Sequence, residues 1–226
     1  SGMSGRRLTE ILLSRGIRGV VIAPPPGSVR HMKMDWDRFS CSTFDHDGWR
    51  PLLHRVSVDM VHRVSTSLRH LEKLGYRRIG LAIPRNLDQK SDYSYSGRYL
   101  AWGQNQPARN SLKVFHYDQH EVQLVKKEFW AWVKKNRPDA ILCHDRNALD
   151  VLEEGGWSVP GDIGLVHLNI GPDVDDWAGM RVNAPAIGRA AVDLVVNQMV
   201  RNEVGVPADP REVVLRARWQ SGKTVQ

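Results

Sequence analysis

The sequence predicts an α/β fold built from parallel sheets that are flanked by helices. Short apolar segments of strand length, such as residues 19–23 and 140–143, alternate with longer segments whose apolar residues recur at helical spacing. Glycine or proline stands at most of the boundaries between these segments. This alternation is typical of βαβ units, in which parallel strands are buried on both faces.

The first elements are predicted from their boundaries. Residues 6–15 carry apolar side chains at helical spacing, and Gly16 can end that helix. The strand over 19–23 stops at the triple proline of residues 24–26, and a weaker strand over 38–45 ends at Asp45.

The middle of the chain continues the pattern. Asp59 is a predicted N-cap for a helix that runs to Leu74, with Gly75 after it. A strand over 78–83 stops at Pro84, a helix covers 93–105, and a short strand covers 113–116.

The remaining elements are predicted in the same way. A helix over 121–136 precedes Pro138 and the strand 140–143, and a helix over 147–154 stops at two glycines. A strand over 163–168, a helix over 187–200 and a last strand over 213–217 follow.

The composition excludes several classes of protein. The chain has 226 residues, 41% of them hydrophobic, and a net charge of +7 that is spread along the sequence, which favours a generally basic surface over a nucleic-acid-binding arm. Cys41 and Cys143 lie in apolar segments and are expected to be core thiols. No apolar run reaches 18 residues and no signal peptide is recognisable at the start, so we expect a cytoplasmic protein without a membrane span.

Polar residues follow several predicted strands. They include Asp45, Arg85, His144 and Asn169. In open α/β sheets the ligand crevice lies at the carboxyl ends of the strands, and groups that both donate and accept hydrogen bonds suit a polar ligand such as a sugar or a nucleoside.

Five segments, in order, resemble the LacI/GalR transcriptional repressors and their periplasmic sugar-binding relatives. They are HLEKLGYRRIG (70–80), RYLAW (98–102), RPDAILCHD (137–145), VPGDI (159–163) and APAIG (184–188). Each segment alone consists mostly of glycine, proline and apolar residues, so the joint order over residues 58–217 carries the resemblance.

The resemblance implies a type I periplasmic-binding-protein-like fold with two lobes, each a parallel sheet flanked by helices. It would assign residues 1–57 and 170–205 to an N-terminal lobe, expected to be incomplete, and residues 58–169 and 206–226 to a C-terminal lobe. It also implies a regulator that senses a sugar-like effector in the cleft between the lobes and works as a homodimer. Operator DNA would be bound only through a headpiece that is absent from this chain.

The resemblance also implies ligand-binding residues. Arg98 matches the family's ligand arginine, and its guanidinium suits vicinal hydroxyls or a carboxylate. His144 stands where the family usually has asparagine, and Asn169 stands where it usually has aspartate. Asp45 is the fourth candidate, on a looser alignment.

One further departure concerns aromatic stacking on the ligand. Ala184 stands where the family often has an aromatic residue, so Tyr95, Trp102 and Trp177 are alternative partners for a ligand ring, with core packing the more frequent role of such residues.

Two other classes of function stay open at this point. A periplasmic solute-binding protein of a transporter shares the fold and differs by a signal peptide, so the gene region upstream of Met3 would distinguish it. An enzyme is disfavoured because the sequence shows no phosphate-binding glycine loop, nucleophile elbow or metal-ligand cluster. We therefore expect no catalytic residues, metal or cofactor.

Overall fold

The computed structural model describes residues 4–23, 34–44, 50–118 and 122–226. Within these ranges, the helices are α1 (Gly5–Ser14), α2 (Met60–Lys73), α3 (Arg85–Lys90), α4 (Ser94–Gly103), α5 (Val122–Asn136), α6 (Ala148–Glu154) and α7 (Ala184–Val200). The strands are β1 (Gly19–Ile22), β2 (Ser40–Phe44), β3 (His54–Val58), β4 (Ile79–Pro84), β5 (Phe115–Tyr117), β6 (Ala140–Cys143), β7 (Gly164–Ile170), β8 (Ala178–Arg181), β9 (Glu212–Leu215) and β10 (Arg218–Gln220).

The chain forms two compact units, each with its own sheet. The first unit comprises residues 1–58 and 183–215, and its sheet has the strand order β1-β2-β3-β9, with all pairs parallel. The second comprises residues 59–182 and 216–226, and its sheet has the order β10-β8-β7-β6-β4-β5. Only β10 is antiparallel to its neighbour in that sheet. The predicted α/β class is therefore confirmed.

The division differs from the expected lobes at two places. Residues 170–182 were expected in the N-terminal lobe, but β8 pairs with β7 in the second sheet. Residues 206–215 were expected in the C-terminal lobe, but β9 pairs with β3 in the first sheet. Strand pairing decides both cases, and the sequence carries no local signal for the partner of a strand.

In the first unit, α7 packs across β1, β2 and β3. Gln198 on α7 is buried and bonds to both backbone groups of Cys41: its Nε2 donates to the carbonyl at 3.0 Å, and its Oε1 accepts from the N–H at 3.2 Å. Cys41 precedes the point at which β3 begins to pair with β2, at Ser42 and His54. The side-chain amide thus supplies the donor and acceptor that a neighbouring strand would otherwise provide.

In the second unit, both faces of the sheet are covered by helices. On one face α2 and α4 bury Val64, Leu68 and Tyr99 against alternate strand residues, and on the other Phe129 of α5 and Leu152 of α6 pack with the intervening ones. The helix predicted after Asp59 is confirmed, since Asp59 Oδ1 accepts the N–H of His62 at 2.7 Å as an N-cap.

The two cysteines are core thiols, as predicted. Cys41 lies in β2 and Cys143 in β6, and both are buried and free. Burial raises the pKa of the Cys41 thiol to about 12 and also raises the pKa of Cys143, so both stay protonated. In the part of the chain that the structure describes, no helix is both long and apolar enough to cross a membrane.

Candidate functional site

A cavity of about 550 Å³ opens at the carboxyl ends of β5, β6 and β7 in the second unit. Residues at or directly after the ends of β5 and β6 line it, namely Tyr117, His144 and Asp145. His167 and Asn169, from the second half of β7, line it as well. Because the three strands belong to one parallel sheet, their carboxyl ends lie at the same edge, and the residues there converge. A cavity of this size suits a small molecule.

Two histidines form one wall of the cavity. The ring centroids of His144 and His167 are 5.7 Å apart. Tyr95 meets His144 edge-on at 6.3 Å, and Trp177 meets His167 edge-on at 5.8 Å. Tyr95 and Trp177, two of the three aromatic residues that the sequence offered as partners for a ligand ring, therefore pack against this wall. Trp102 does not, because it is buried between helices and donates from Nε1 to Glu72 at 2.8 Å.

The hydrogen bond of His167 fixes its tautomer. Its Nδ1 accepts the backbone N–H of Asn169 at 3.1 Å, so in the neutral ring the proton is on Nε2. That Nε2 is buried and makes no hydrogen bond of normal geometry to the described residues, although the nearby His144 backbone raises the pKa of His167. The Tyr117 hydroxyl is likewise buried without a hydrogen-bond partner among the described residues. Buried polar groups are normally satisfied, so two unused groups at one cavity indicate a place for a polar ligand.

Both histidines are neutral near pH 7. Burial lowers the pKa of His144 to about 3, with further lowering by His167 and by the Arg63 guanidinium. Burial is also the main cause that lowers the pKa of His167. The pKa of Tyr117 is raised, chiefly by burial. The wall therefore offers neutral donors and acceptors, which suit hydroxyl groups.

The charged residues at the cavity already have protein partners. Lys126 Nζ contacts Glu154 Oε2 at 2.7 Å, and Arg146 Nη1 contacts Asp173 Oδ2 at 2.8 Å. Asp145 Oδ1 accepts the backbone N–H of Asn147 at 2.9 Å, in the turn directly before α6. The residues that the structure describes contain no group of three His, Cys, Asp or Glu side chains arranged to hold a metal ion.

The structure brings together two of the four predicted ligand residues, His144 and Asn169. Arg98 lies on α4, where its Nε donates to Ser65 Oγ at 2.7 Å, and it does not line this cavity. Asp45 lies outside the described residues. The role of each as a ligand contact stays a prediction.

Sequence reasoning missed Tyr117 and His167. Tyr117 is the last residue of β5, where the predicted strand stopped one residue earlier at His116. His167 lies inside a predicted strand and reads as a core residue. A search for polar residues within the last positions of each strand, as well as after them, would have found both.

Comparison with known proteins identifies the domain type. A model of the periplasmic binding protein-like domain matches residues 68–225. No curated protein matches the sequence.

Solved structures share the fold. A LacI family transcriptional regulator from Arthrobacter sp. FB24, in complex with lactose, is 16% identical with a TM-score of 0.68, over 100% of this chain and 85% of that one. A LacI family transcriptional regulator from Enterococcus faecium with bound ribose is 16% identical with a TM-score of 0.66, over 99% and 85%. The transcriptional regulator CelR in complex with cellobiose is 16% identical with a TM-score of 0.66, over 96% and 69%.

The match to the periplasmic binding protein-like domain covers well over half of the sequence, and it agrees with the two-sheet architecture. The resemblance predicted from the sequence is therefore confirmed at the level of the domain. This chain belongs to the periplasmic binding protein-like domain family.

Proposed function

We propose that this chain is the effector-sensing and dimerisation region of a bacterial DNA-binding transcriptional regulator, a repressor whose effector is a sugar-like molecule. The observation that carries the proposal is the cavity at the strand ends, where neutral His144, His167, Asn169 and Tyr117 meet. Two of its polar atoms, Tyr117 Oη and His167 Nε2, lack partners among the described residues. Hydroxyl groups of a sugar can both donate to and accept from such a set.

The fold relatives support the same class of ligand. The regulators from Arthrobacter and Enterococcus faecium hold lactose and ribose, and CelR holds cellobiose. A sensor needs a site that binds without consuming its ligand, and the cavity wall offers hydrogen-bonding groups. We therefore propose a binding protein and not an enzyme. We also propose that it acts in the cytoplasm, where a regulator meets DNA.

Regulation by such a domain requires a difference in effector affinity between two conformations of the full protein. Operator DNA would be bound through the headpiece implied by the family resemblance. The effector's place in a cleft between lobes stays a prediction.

The proposed dimer is tested by sedimentation. We expect twice the 25.6 kDa mass of one chain, and the mass of a single chain at all concentrations would contradict the dimer.

A thermal-shift screen tests the ligand class. Pentoses, hexoses, disaccharides, sugar acids and sugar phosphates are added to the purified chain, and a compound that binds only the folded state raises the Tm with its concentration. Tyr117→Phe removes the unpartnered hydroxyl and keeps the ring, so we expect it to weaken sugar binding by about tenfold, the value of one hydrogen bond to a ligand.

The control for that screen is Asn105→Ala, an exposed substitution after α4 and outside the cavity. It should leave the Tm shift unchanged. Failure of every neutral sugar, sugar acid and sugar phosphate to raise the Tm of a folded sample would overturn the proposed ligand class. A shift that Arg98→Ala abolishes would confirm the predicted role of Arg98.

A further inference from the structure

Arg63 is a buried cation that the proposed function has not used. Only 5% of the Arg63 surface is exposed to solvent. Its Nη1 donates to the hydroxyl of Tyr95 at 3.2 Å, while its Nε is buried without a partner. Among the described residues it takes part in no ion pair. An arginine carries five N–H donors and a permanent charge, so one neutral hydrogen bond leaves most of its capacity unused.

The nearest acid along the chain is already engaged. Asp59 lies one turn before Arg63, where its Oδ1 accepts the N–H of His62 at 2.7 Å and its Oδ2 lies 3.9 Å from Arg216 Nε. Burial of an unpaired charge is costly because solvent no longer stabilises it. Arg63 thus differs from Lys126 and Arg146, which are paired with carboxylates.

The position of α2 places Arg63 at the cavity end of the sheet. The helix leads through a short turn into the parallel strand β4 and packs on β6 and β7, so it runs antiparallel to them. Arg63 is in its first turn and therefore lies near the carboxyl ends of the strands. Arg63 does not itself line the cavity. It bonds to Tyr95, whose ring meets His144, and His144 is the residue of this series that lines the cavity, so the guanidinium charge lies behind the His144 side of the wall.

We propose that Arg63 makes the His144 side of the cavity a subsite for an anionic group, so that the effector is a carbohydrate carrying a carboxylate or a phosphate. This inference rests on the proposed function, whose site it specifies further. Guanidinium groups pair with carboxylates and phosphates, and a buried cation attracts an anion with little screening by water.

The titration of the two histidines supports this placement. Arg63 contributes to the lowered pKa of His144 because its charge disfavours a second cation there, and the same field favours an anion. The pKa of His167 is lowered mainly by burial. The Asp145 carboxylate raises it, whereas the Arg63 guanidinium lowers it further. The contacts from Arg63 through Tyr95 to His144 assign the anionic group to the side of His144.

The test compares matched ligands by titration calorimetry on the whole chain at pH 7.5. Glucose is set against glucuronate and glucose 6-phosphate, and ribose against ribose 5-phosphate. We expect at least one anionic member to bind tenfold or more tighter than its neutral parent. The carboxylate and phosphate arms then show which anion the subsite takes.

Substitutions at Arg63 identify the source of the preference. Arg63→Gln should bring the two affinities to within about threefold, while Arg63→Lys, which keeps the charge, should retain part of the ratio. Arg69→Gln is the matched control, because it makes the same charge change on the exposed side of the same helix and should keep the full ratio.

Either of two results would overturn the inference. One is a neutral sugar that binds the unsubstituted chain as tightly as its anionic partner, a result that needs no variant to fold. The other is an anion preference that Arg63→Gln leaves unchanged. Saturable binding of neutral sugars in those cases would keep the proposed function, whereas no binding of any compound would remove both.

Discussion

His144 shows how the surroundings of one residue determine its chemistry. Its side chain follows β6, lines the cavity, and meets Tyr95 and His167. Burial among these groups lowers the pKa of the imidazole to about 3, so the neutral form is the one that the folded protein stabilises. An uncharged imidazole can donate or accept a hydrogen bond according to its tautomer, as recognition of hydroxyl groups requires.

The lowered pKa of His144 predicts a pH dependence of stability. Between pH 6.5 and the folded-state pKa, the unfolded chain binds a proton at this residue and the folded chain does not. The contribution of His144 to the free energy of unfolding is therefore fully present above pH 6.5, and it is lost as the pH falls toward the folded-state pKa. Acidification to pH 5 should therefore lower the free energy of unfolding by up to about 2 kcal/mol through this residue.

Urea unfolding at pH 7.5 and at pH 5 measures this effect. His144→Gln keeps a hydrogen-bonding side chain without the titration, so it should show a smaller loss on acidification. Lys127→Gln, at an exposed position of α5, should keep the loss of the unsubstituted chain. An equal loss in His144→Gln and the unsubstituted chain would contradict the assignment to His144.

At the scale of elements, α7 is joined to the first sheet by a buried hydrogen-bonding side chain. Gln198 satisfies the N–H and the carbonyl of Cys41, which precedes the paired part of β2 and β3. Two buried backbone groups thus depend on one amide. The cost of losing it is the desolvation of both groups, not the strength of two exposed hydrogen bonds.

Gln198→Leu is expected to lower the free energy of unfolding by about 2 to 4 kcal/mol, because it leaves the two Cys41 groups buried and unsatisfied. Chemical denaturation measures the change. Asn197→Leu, one residue earlier and exposed on the same helix, is expected to stay within about 0.5 kcal/mol. A cost for Gln198→Leu no larger than that of the control would show that the amide is not needed.

The elements differ in how much of their structure the sequence reveals. The helix α2 was predictable with its cap because Asp59, an apolar stripe and Gly75 all agree. By contrast, β3, α3, β8 and β10 were not predicted. β8 contains a glycine and an arginine, and α3 is a six-residue helix after Pro84 without a periodic apolar stripe. Such elements are specified by their neighbours in space and not by local pattern.

The sequence likewise reveals some residues of the candidate site and not others. His144 and Asn169 were predictable because they lie at the ends of recognisable strands. Arg63 reads as an ordinary polar position on a helix, and only the tertiary structure shows that it is buried without an acidic partner among the described residues. An unsatisfied atom is a property of packing, which no local sequence pattern encodes.

At the scale of the whole molecule, each of the two units builds a sheet of mostly parallel strands from segments that are far apart in the sequence. The second unit contains the cavity, the two histidines and Arg63. Its polar groups meet at one sheet edge because β5, β6 and β7 are parallel. In the proposed function, the fold supplies the cavity and the residues at the strand ends supply its selectivity.

The most direct test of the central claim, that this cavity binds a sugar-like effector, is titration calorimetry with the best ligand from the screen. Asn169→Ala shortens a cavity-lining side chain, and Asn105→Ala makes the same change at an exposed site outside the cavity. The account predicts saturable binding to the unsubstituted chain and to Asn105→Ala, and affinity reduced tenfold or more in Asn169→Ala. Equal affinity in all three proteins would contradict it.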